Sequence, residues 1–184
     1  MLEQNFKFKN ETLLCRNLDK NDIDKLYNFL TNLSTDTIQR SFLNCDLKER
    51  SESFCNDIGL YDKHRYVLFN QEKDIIALFE FSLDFPPSDI VRYNNYENIP
   101  NIKSICRWGL TIADKYQNKG IGTITFPLMK KIAKELNKSY IILYGGVYES
   151  NKRAIHYYKK VGFIELGYFV DTNNINAIDM ILKI

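Results

Sequence analysis

Apolar residues recur at Ile23, Leu26, Tyr27, Leu30 and Leu33. Steps of three and four place them on one face of an amphipathic helix. Asp19 or Asn21 supplies its cap. Ahead of it, residues 6–16 read as one strand, with Phe6 and Phe8 alternating before Leu13 and Leu14. Ser34 and Thr35 are a second cap signal and open a short helix through Ile38 and Phe42. A third helix covers residues 48–58. From Arg65 the period shortens to that of strands. Residues 66–70 and 75–83 read as a pair joined by the polar turn 71–74.

Residues 84–104 hold three of the four prolines and interrupt the pattern. A connection of about 20 residues inside a compact domain is either functional or disordered. Residues 105–113 are a strand, followed by a glycine loop and an amphipathic helix over 121–136. That helix turns Ile121, Ile124, Leu128, Ile132 and Leu136 inward and carries Pro127, which predicts a kink. Residues 140–148 read as a strand with Gly145-Gly146 inside it, a mark of a bulge or a close backbone approach. Asn151 caps a short helix with Lys159 and Lys160 in its last turn and Gly162 just past its end. Residues 163–170 and 177–184 form a last hairpin. Helices and strands alternate without a linker or repeat, which predicts a single α+β domain with a mixed sheet.

Composition narrows the function. In 184 residues, 45% are hydrophobic and 26% charged, as in an ordinary globular domain with one substantial core. A formal charge of +2 offers no field for nucleic acid. The longest uncharged apolar stretch, 140–148, falls well short of the ~20 residues of a membrane span. Charged residues from Glu3 to Arg16 leave no room for a signal peptide. Cys15, Cys45, Cys55 and Cys106 form no C-x-x-C pair and have only His64 and His156 beside them. They read as reduced thiols of a cytoplasmic protein without a metal site.

Two segments carry candidate chemistry. Gln117-Asn118-Lys119-Gly120-Ile121-Gly122-Thr123 lies between a strand and a helix. A loop there aims backbone N–H groups outward at the positive end of the helix dipole. Gly120 and Gly122 allow phosphate oxygens close to the backbone, and Lys119 adds a charge. A tight turn with two glycines reads equally well. The loop is neither a Walker loop nor a three-glycine dinucleotide loop.

The second segment is Asn151-x-x-Ala154-x-x-x-Tyr158-x-x-x-Gly162-Phe163. Two helical turns separate Asn151 and Tyr158, so both face one side. A phenol with an ordinary pKa near 10 stays protonated at neutral pH and can donate to a thiolate leaving group. A helix cap for Asn151 and a core aromatic for Tyr158 are the plainer alternatives.

In this order and spacing the two segments resemble the GCN5-related N-acetyltransferase (GNAT) superfamily. Its pyrophosphate motif, [Arg/Gln]-x-x-Gly-x-[Gly/Ala], is matched from Gln117 to Gly122, and its later Asn…Ala…Tyr…Gly-Phe motif from Asn151 to Phe163. Leu110 to Tyr116 is similar to the end of the family's fourth strand. The close likeness covers about a third of the chain. The resemblance implies one N-acetyltransferase domain over residues 1–184. Its mixed central sheet, flanked by helices, would have a V-shaped split between the fourth and fifth strands, those ending at Ile112 and starting at Tyr140. Residues 105–163 would cradle acetyl-CoA, the acyl donor. Leu110 and Ile112 would hold the pantetheine arm through their backbones, with the Ile112 N–H polarising the thioester carbonyl. Gln117, Asn118, Lys119, Gly120, Ile121, Gly122 and Thr123 would hold the pyrophosphate, and Asn151 would bond pantetheine or nearby backbone. Tyr158 would protonate the departing sulfur in a direct transfer to an amine.

The fourth strand, Ile105-Cys106-Arg107-Trp108-Gly109, lacks the carboxylate that relatives often place there. Glu80 is the best substitute base, ahead of Glu97, Asp84 and His156, and reads equally as a solvated strand residue. Cys106 reads as a core residue rather than an acyl carrier. Residues 84–104, with Asp84, Asp89 and Glu97, read as an acceptor wall that favours a cationic amine, or as a passive insertion. The expected function is acetyl transfer to a primary amine of a small molecule by a monomer or homodimer that binds neither nucleic acid nor membrane. A peptide or lysine acetyltransferase and a catalytically silent acyl-CoA-binding module are the alternatives.

Overall fold

The computed structural model describes residues 2–58, 60 and 62–184. The chain opens with a hairpin of β1 (Glu3–Phe8) and β2 (Glu11–Asn17), with Glu3 opposite Arg16 and Phe8 opposite Glu11. The stretch read as one strand is therefore two. Lys9 takes a φ of 51°, the left-handed conformation that a two-residue hairpin turn demands, without a glycine to announce it.

Three helices follow, α1 (Ile23–Thr31), α2 (Thr35–Ser41) and α3 (Leu47–Asn56), then β3 (Lys63–Phe69) and β4 (Ile75–Ser82). The proline-rich connection contains a helix, α4 (Pro87–Asn94), with its proline at the start, where the missing N–H costs nothing. Next come β5 (Ile105–Ile112), α5 (Ile121–Glu135), β6 (Tyr140–Leu143) and β7 (Val147–Tyr148). The stretch 140–148 read as one strand is broken at Gly145 and Gly146, both with positive φ. The chain ends with α6 (Lys152–Lys160), β8 (Ile164–Val170) and β9 (Asn176–Lys183). The architecture is α+β.

The strands form one mixed sheet in the order β1-β2-β3-β4-β5-β6-β9-β7, with β8 also paired to β9. β5 and β6 are parallel, and β9 runs antiparallel to β6, β7 and β8. The β5–β6 register runs from Ile105 opposite Tyr140 to Trp108 opposite Leu143, where β6 ends. β5 continues four residues further, to Ile112. It counts as the fifth strand here because the first expected strand is a hairpin.

The chain forms two compact units. One comprises the residues up to Glu80 together with Leu110–Thr125. Leu26 and Leu30 of α1 pack there with Val67, Phe69 and Leu78, as the helical spacing predicts. Tyr27 is exposed, and Phe29 is buried in its place. Asp22 is buried in this unit and satisfied by two hydrogen bonds from Arg16, at 2.7 and 2.8 Å. The other unit comprises Phe81–Gly109 and Phe126–Ile184. Its core includes an aromatic cluster of Phe81, Trp108, Phe126 and Phe163 and a second group of Tyr93, Ile105, Ile142 and Ile181. Among the described residues no helix is long and apolar enough to cross a membrane.

Candidate active site

The glycine loop belongs to the first unit. After β5, the Ala113 N–H donates to the Ile76 carbonyl at 2.9 Å, and a single turn, Asp114–Tyr116, leads into the loop. Gln117 is held on all sides. Its side-chain amide donates to the Ile112 carbonyl at 2.8 Å and the Thr37 hydroxyl at 3.3 Å, and its backbone N–H donates to the Asp114 carbonyl at 3.1 Å. With its donors committed inside the protein, Gln117 ties the end of β5 to the start of the loop.

Asp114 makes a second anchor that the sequence did not reveal. Its carboxylate accepts the Ser34 N–H at 2.8 Å and the Ser34 and Thr37 hydroxyls at 2.7 and 2.8 Å, at the N-terminus of α2. Burial alone would raise the Asp114 carboxyl, but the hydrogen bonds from Ser34 and Thr37 outweigh it and hold the carboxyl below its ordinary range.

Beyond Gln117 the chain reverses with Asn118 at φ 57° and Gly120 at φ 94°. Apart from its own chain neighbours, no described atom lies within 4 Å of the position a Cβ on Gly120 would take. That open space, reached by a main chain only glycine readily adopts, fits an approaching phosphate. α5 starts at the next residue, and its N-terminus brings the positive end of the helix dipole to the loop. Lys119 and Lys115 lie over the Tyr116 ring, at 5.9 and 5.3 Å from its centre, and add positive charge to the loop. Leu110 and Ile112 occupy the last turns of β5 on the same side of the strand.

Asn151 and Tyr158 belong to the second unit. Asn151 caps α6, its side-chain oxygen accepting the Ala154 N–H at 3.1 Å. Its own N–H donates to the Tyr148 carbonyl at 2.8 Å. At the other end of α6, Gly162 has φ 104°, with its N–H on the Lys159 carbonyl at 3.1 Å. The Phe163 N–H reaches the Tyr158 carbonyl at 3.0 Å. This is a Schellman ending. It explains why a glycine and a phenylalanine follow Tyr158 at that spacing.

Tyr158 packs edge-on against Phe163 and Trp108, with ring centres 5.4 and 6.1 Å apart. Among the described residues its hydroxyl has no hydrogen-bond partner. Burial pushes its pKa up to about 12, so the phenol stays protonated across the neutral range. Cys106 is buried and its thiol is likewise pushed up to about 12 by burial, which makes it a poor nucleophile.

The acidic side chains weighed as bases or cation attractors are mostly engaged. Glu80 is paired with Arg65 at 2.5 Å, and the guanidinium stacks over Phe54 at 4.0 Å. Asp89 contacts Arg92 at 2.9 Å and Arg107 at 3.2 Å, and Asp84 contacts Arg107 at 3.4 Å. Arg92 also meets the fully buried Asp179 at 2.7 Å, and that carboxylate accepts the Tyr93 and Tyr96 hydroxyls at 3.0 and 2.8 Å. The segment 84–104 is thus ordered by arginine–carboxylate pairs, so the negative charge of Asp84 and Asp89 is largely offset by Arg92 and Arg107. The signal for this network is a lone Asp179 in an apolar strand and a lone Arg107 in another. Among the described residues no group of three or more His, Cys, Asp or Glu side chains is placed to hold a metal.

A family model described as the acetyltransferase (GNAT) family matches residues 30–163. A spermidine N(1)-acetyltransferase of Vibrio cholerae serotype O1 is 26% identical over 180 residues, covering 91% of this chain and 88% of the relative. Among solved structures, the GNAT domain of S. lividans PAT superposes with a TM-score of 0.78 at 12% identity, covering 99% of this chain and 97% of that one. The spermidine N-acetyltransferase of Vibrio cholerae in complex with CoA and spermine gives a TM-score of 0.67 at 21% identity, covering 93% and 95%.

Proposed function

Since the chain belongs to the GNAT family of acetyltransferases, we propose that it transfers the acetyl group of acetyl-CoA to a primary amine of a small molecule, with residues 1–184 acting as one catalytic domain. The observation that carries the catalytic reading is the Tyr158 hydroxyl, protonated, without a partner, and fixed at the end of α6 by the Gly162–Phe163 turn. A small cationic acceptor is supported by the likeness to a spermidine acetyltransferase over nine-tenths of the chain.

Acetyl-CoA supplies an activated acyl thioester. Asn118, Lys119, Gly120, Ile121, Gly122 and Thr123 would hold its pyrophosphate, through the open backbone at Gly120, the first turn of α5 and the Lys119 charge. Gln117, bonded to Ile112 and Thr37, keeps that loop in register with the end of β5. Leu110 and Ile112 would meet the pantetheine arm through their backbones, and Asn151 would use its side-chain N–H groups, since its oxygen is spent on the cap. Tyr158 holds its proton on the phenol oxygen until a leaving group there requires it, a role worth about 10²–10⁴-fold in rate.

Thiol release from acetyl-CoA, measured against a panel of polyamines, other small amines, aminoglycosides and peptides, tests this reading. Turnover with small amines and none with peptides supports it. Turnover confined to peptides overturns the acceptor class, and no turnover with any acceptor alongside tight CoA binding favours the silent module.

A further inference from the structure

Trp108 is buried to 1% exposure, and its indole Nε1 is a buried donor without a hydrogen-bond partner among the described residues. Folds rarely keep a buried N–H unpaired, because its lost hydration is not replaced. The deficit lies in the side chain alone, since the Trp108 carbonyl accepts the Tyr144 N–H at 2.9 Å. An apolar aromatic ring would fill the place without carrying an orphaned donor.

An indole can only donate, so what the site lacks is an acceptor. The three phenylalanine rings around it supply none. Phe126 lies 5.5 Å away centre to centre, Phe163 stacks at 6.2 Å and Phe81 stands at 6.5 Å. The fourth neighbour is Tyr158, edge-on at 6.1 Å, whose hydroxyl is also without a partner. Two unpaired donors therefore share one aromatic cluster, at the point of β5 where its pairing with β6 ends.

We propose that the Trp108 indole N–H is a donor of the acetyl-transfer site and bonds an acceptor atom at the thioester end of bound acetyl-CoA. This rests on the acetyltransferase reading and adds a residue to it. In an apolar enclosure such an N–H stabilises negative charge developing on the atom it meets. The acceptor is the thioester's carbonyl oxygen or its sulfur, and CoA and acetyl-CoA distinguish them.

Trp108 is the sole tryptophan, so a ¹⁵N-labelled full chain shows one indole N–H resonance. The chain is titrated with CoA and with acetyl-CoA, with calorimetry on the same samples. The indole proton should move downfield on saturation, with both ligands if the acceptor is sulfur and with acetyl-CoA alone if it is the carbonyl oxygen. A resonance that stays in place while calorimetry shows both ligands bound overturns the inference and leaves the acetyltransferase reading intact. No binding of either ligand overturns both. Trp108→Phe keeps a ring and removes the N–H; kcat should fall about tenfold, with CoA affinity close to that of the parent if the acceptor is the carbonyl oxygen and lowered as well if it is the sulfur. Unchanged kcat in this variant also overturns the inference. Because the resonance is read on the unaltered chain, a variant that fails to fold leaves the test in place.

Discussion

The Phe163 N–H donates to the Tyr158 carbonyl at 3.0 Å, while the two rings meet edge to face with centres 5.4 Å apart. One turn of chain thus fixes Tyr158 twice, through its backbone and through its ring. The hydrogen bond joins the third residue from the end of α6 to the second residue past its cap, and an apolar contact at those positions completes a Schellman ending. Holding Tyr158 this way limits the freedom of its ring in advance of any substrate, which is how a proton donor is kept in a productive orientation.

Gly162 makes that turn possible, with φ at 104°. Gly162→Ala should cost about 1–3 kcal/mol of stability from backbone strain. Leu182 Cδ1 stands 3.2 Å from the new methyl and has to give way. Because the strain falls on the turn holding Tyr158, kcat should drop more than acetyl-CoA affinity. Denaturant melts and steady-state kinetics check this. A variant that loses stability with kcat unaltered would show that the turn stabilises the helix without orienting the tyrosine.

Tyr158→Phe retains the ring packing and removes the proton. kcat should fall by about 10²–10⁴-fold with cofactor affinity nearly unchanged. With burial lifting the phenol to about 12, Tyr158 remains an acid up to that pH. Any alkaline fall of kcat centred below about pH 11 in the parent therefore belongs to another group and should persist in the variant. Equal losses in kcat and affinity would identify Tyr158 as a packing residue.

Both motif segments were legible in the chain because each is local. The cap at Asn151, the stop at Gly162 and the glycines of the loop act within a few residues of where they stand. The Lys9 turn was missed because a lysine adopts the left-handed conformation usually left to glycine or asparagine. α4 was hidden by prolines, one of which starts the helix. What holds the candidate site was the least legible. Asp114 reaches Ser34 across 80 residues, and Arg92 reaches Asp179 across 87. No spacing rule announces such partners; only a lone charge in an apolar strand, as at Asp179, hints at them.

Asp114 gives that long reach a pH signature. Its folded pKa is lowered by Ser34 and Thr37 against the upward pull of burial. The stabilisation is fully present above the unfolded value of about 3.9 and is lost as pH falls through the lower folded value. Asp114→Ala should cost about 0.5–2 kcal/mol, as lost helix caps do. The gap between parent and variant should hold steady above about pH 5 and close below about pH 4. Paired denaturant melts across that range measure it, and a gap that persists undiminished at pH 2.5 would remove Asp114 as the ionised cap.

Arg92 and Asp179 lock α4 to β9. Asp179 is fully buried, and Arg92→Leu strands its charge with, among the described residues, the Tyr93 and Tyr96 hydroxyls as its remaining side-chain partners. Breaking one side of a buried pair costs about 3–5 kcal/mol, a fall in Tm on the order of 10 °C for a chain this size. Asp179→Asn should cost less, because an amide oxygen still accepts a tyrosine hydroxyl and Arg92 keeps Asp89 at 2.9 Å. Thermal melts of the two variants rank them, and the reverse order would mean that the arginine's packing over Phe169, at 4.0 Å, outweighs the pairing.

Gly120 separates the cost of shape from the cost of charge. Beyond its chain neighbours nothing within 4 Å opposes a Cβ there, so the main cost of a substitution is its φ of 94°. Asn and Asp are nearly the same size and both tolerate positive φ better than most residues. Gly120→Asn and Gly120→Asp should therefore lose similar, modest stability. Their affinities for acetyl-CoA should differ. If the loop cradles the pyrophosphate, both variants block its approach, and the aspartate adds repulsion between like charges. The Asn variant should then bind more weakly than the parent and the Asp variant more weakly still, with the gap between the two narrowing as salt screens the repulsion. Calorimetry at low and high ionic strength, on variants verified as folded, measures each term. Affinity equal in all three proteins would remove this loop from the cofactor site, and a gap between Asn and Asp indifferent to salt would remove the charge argument while leaving the steric one.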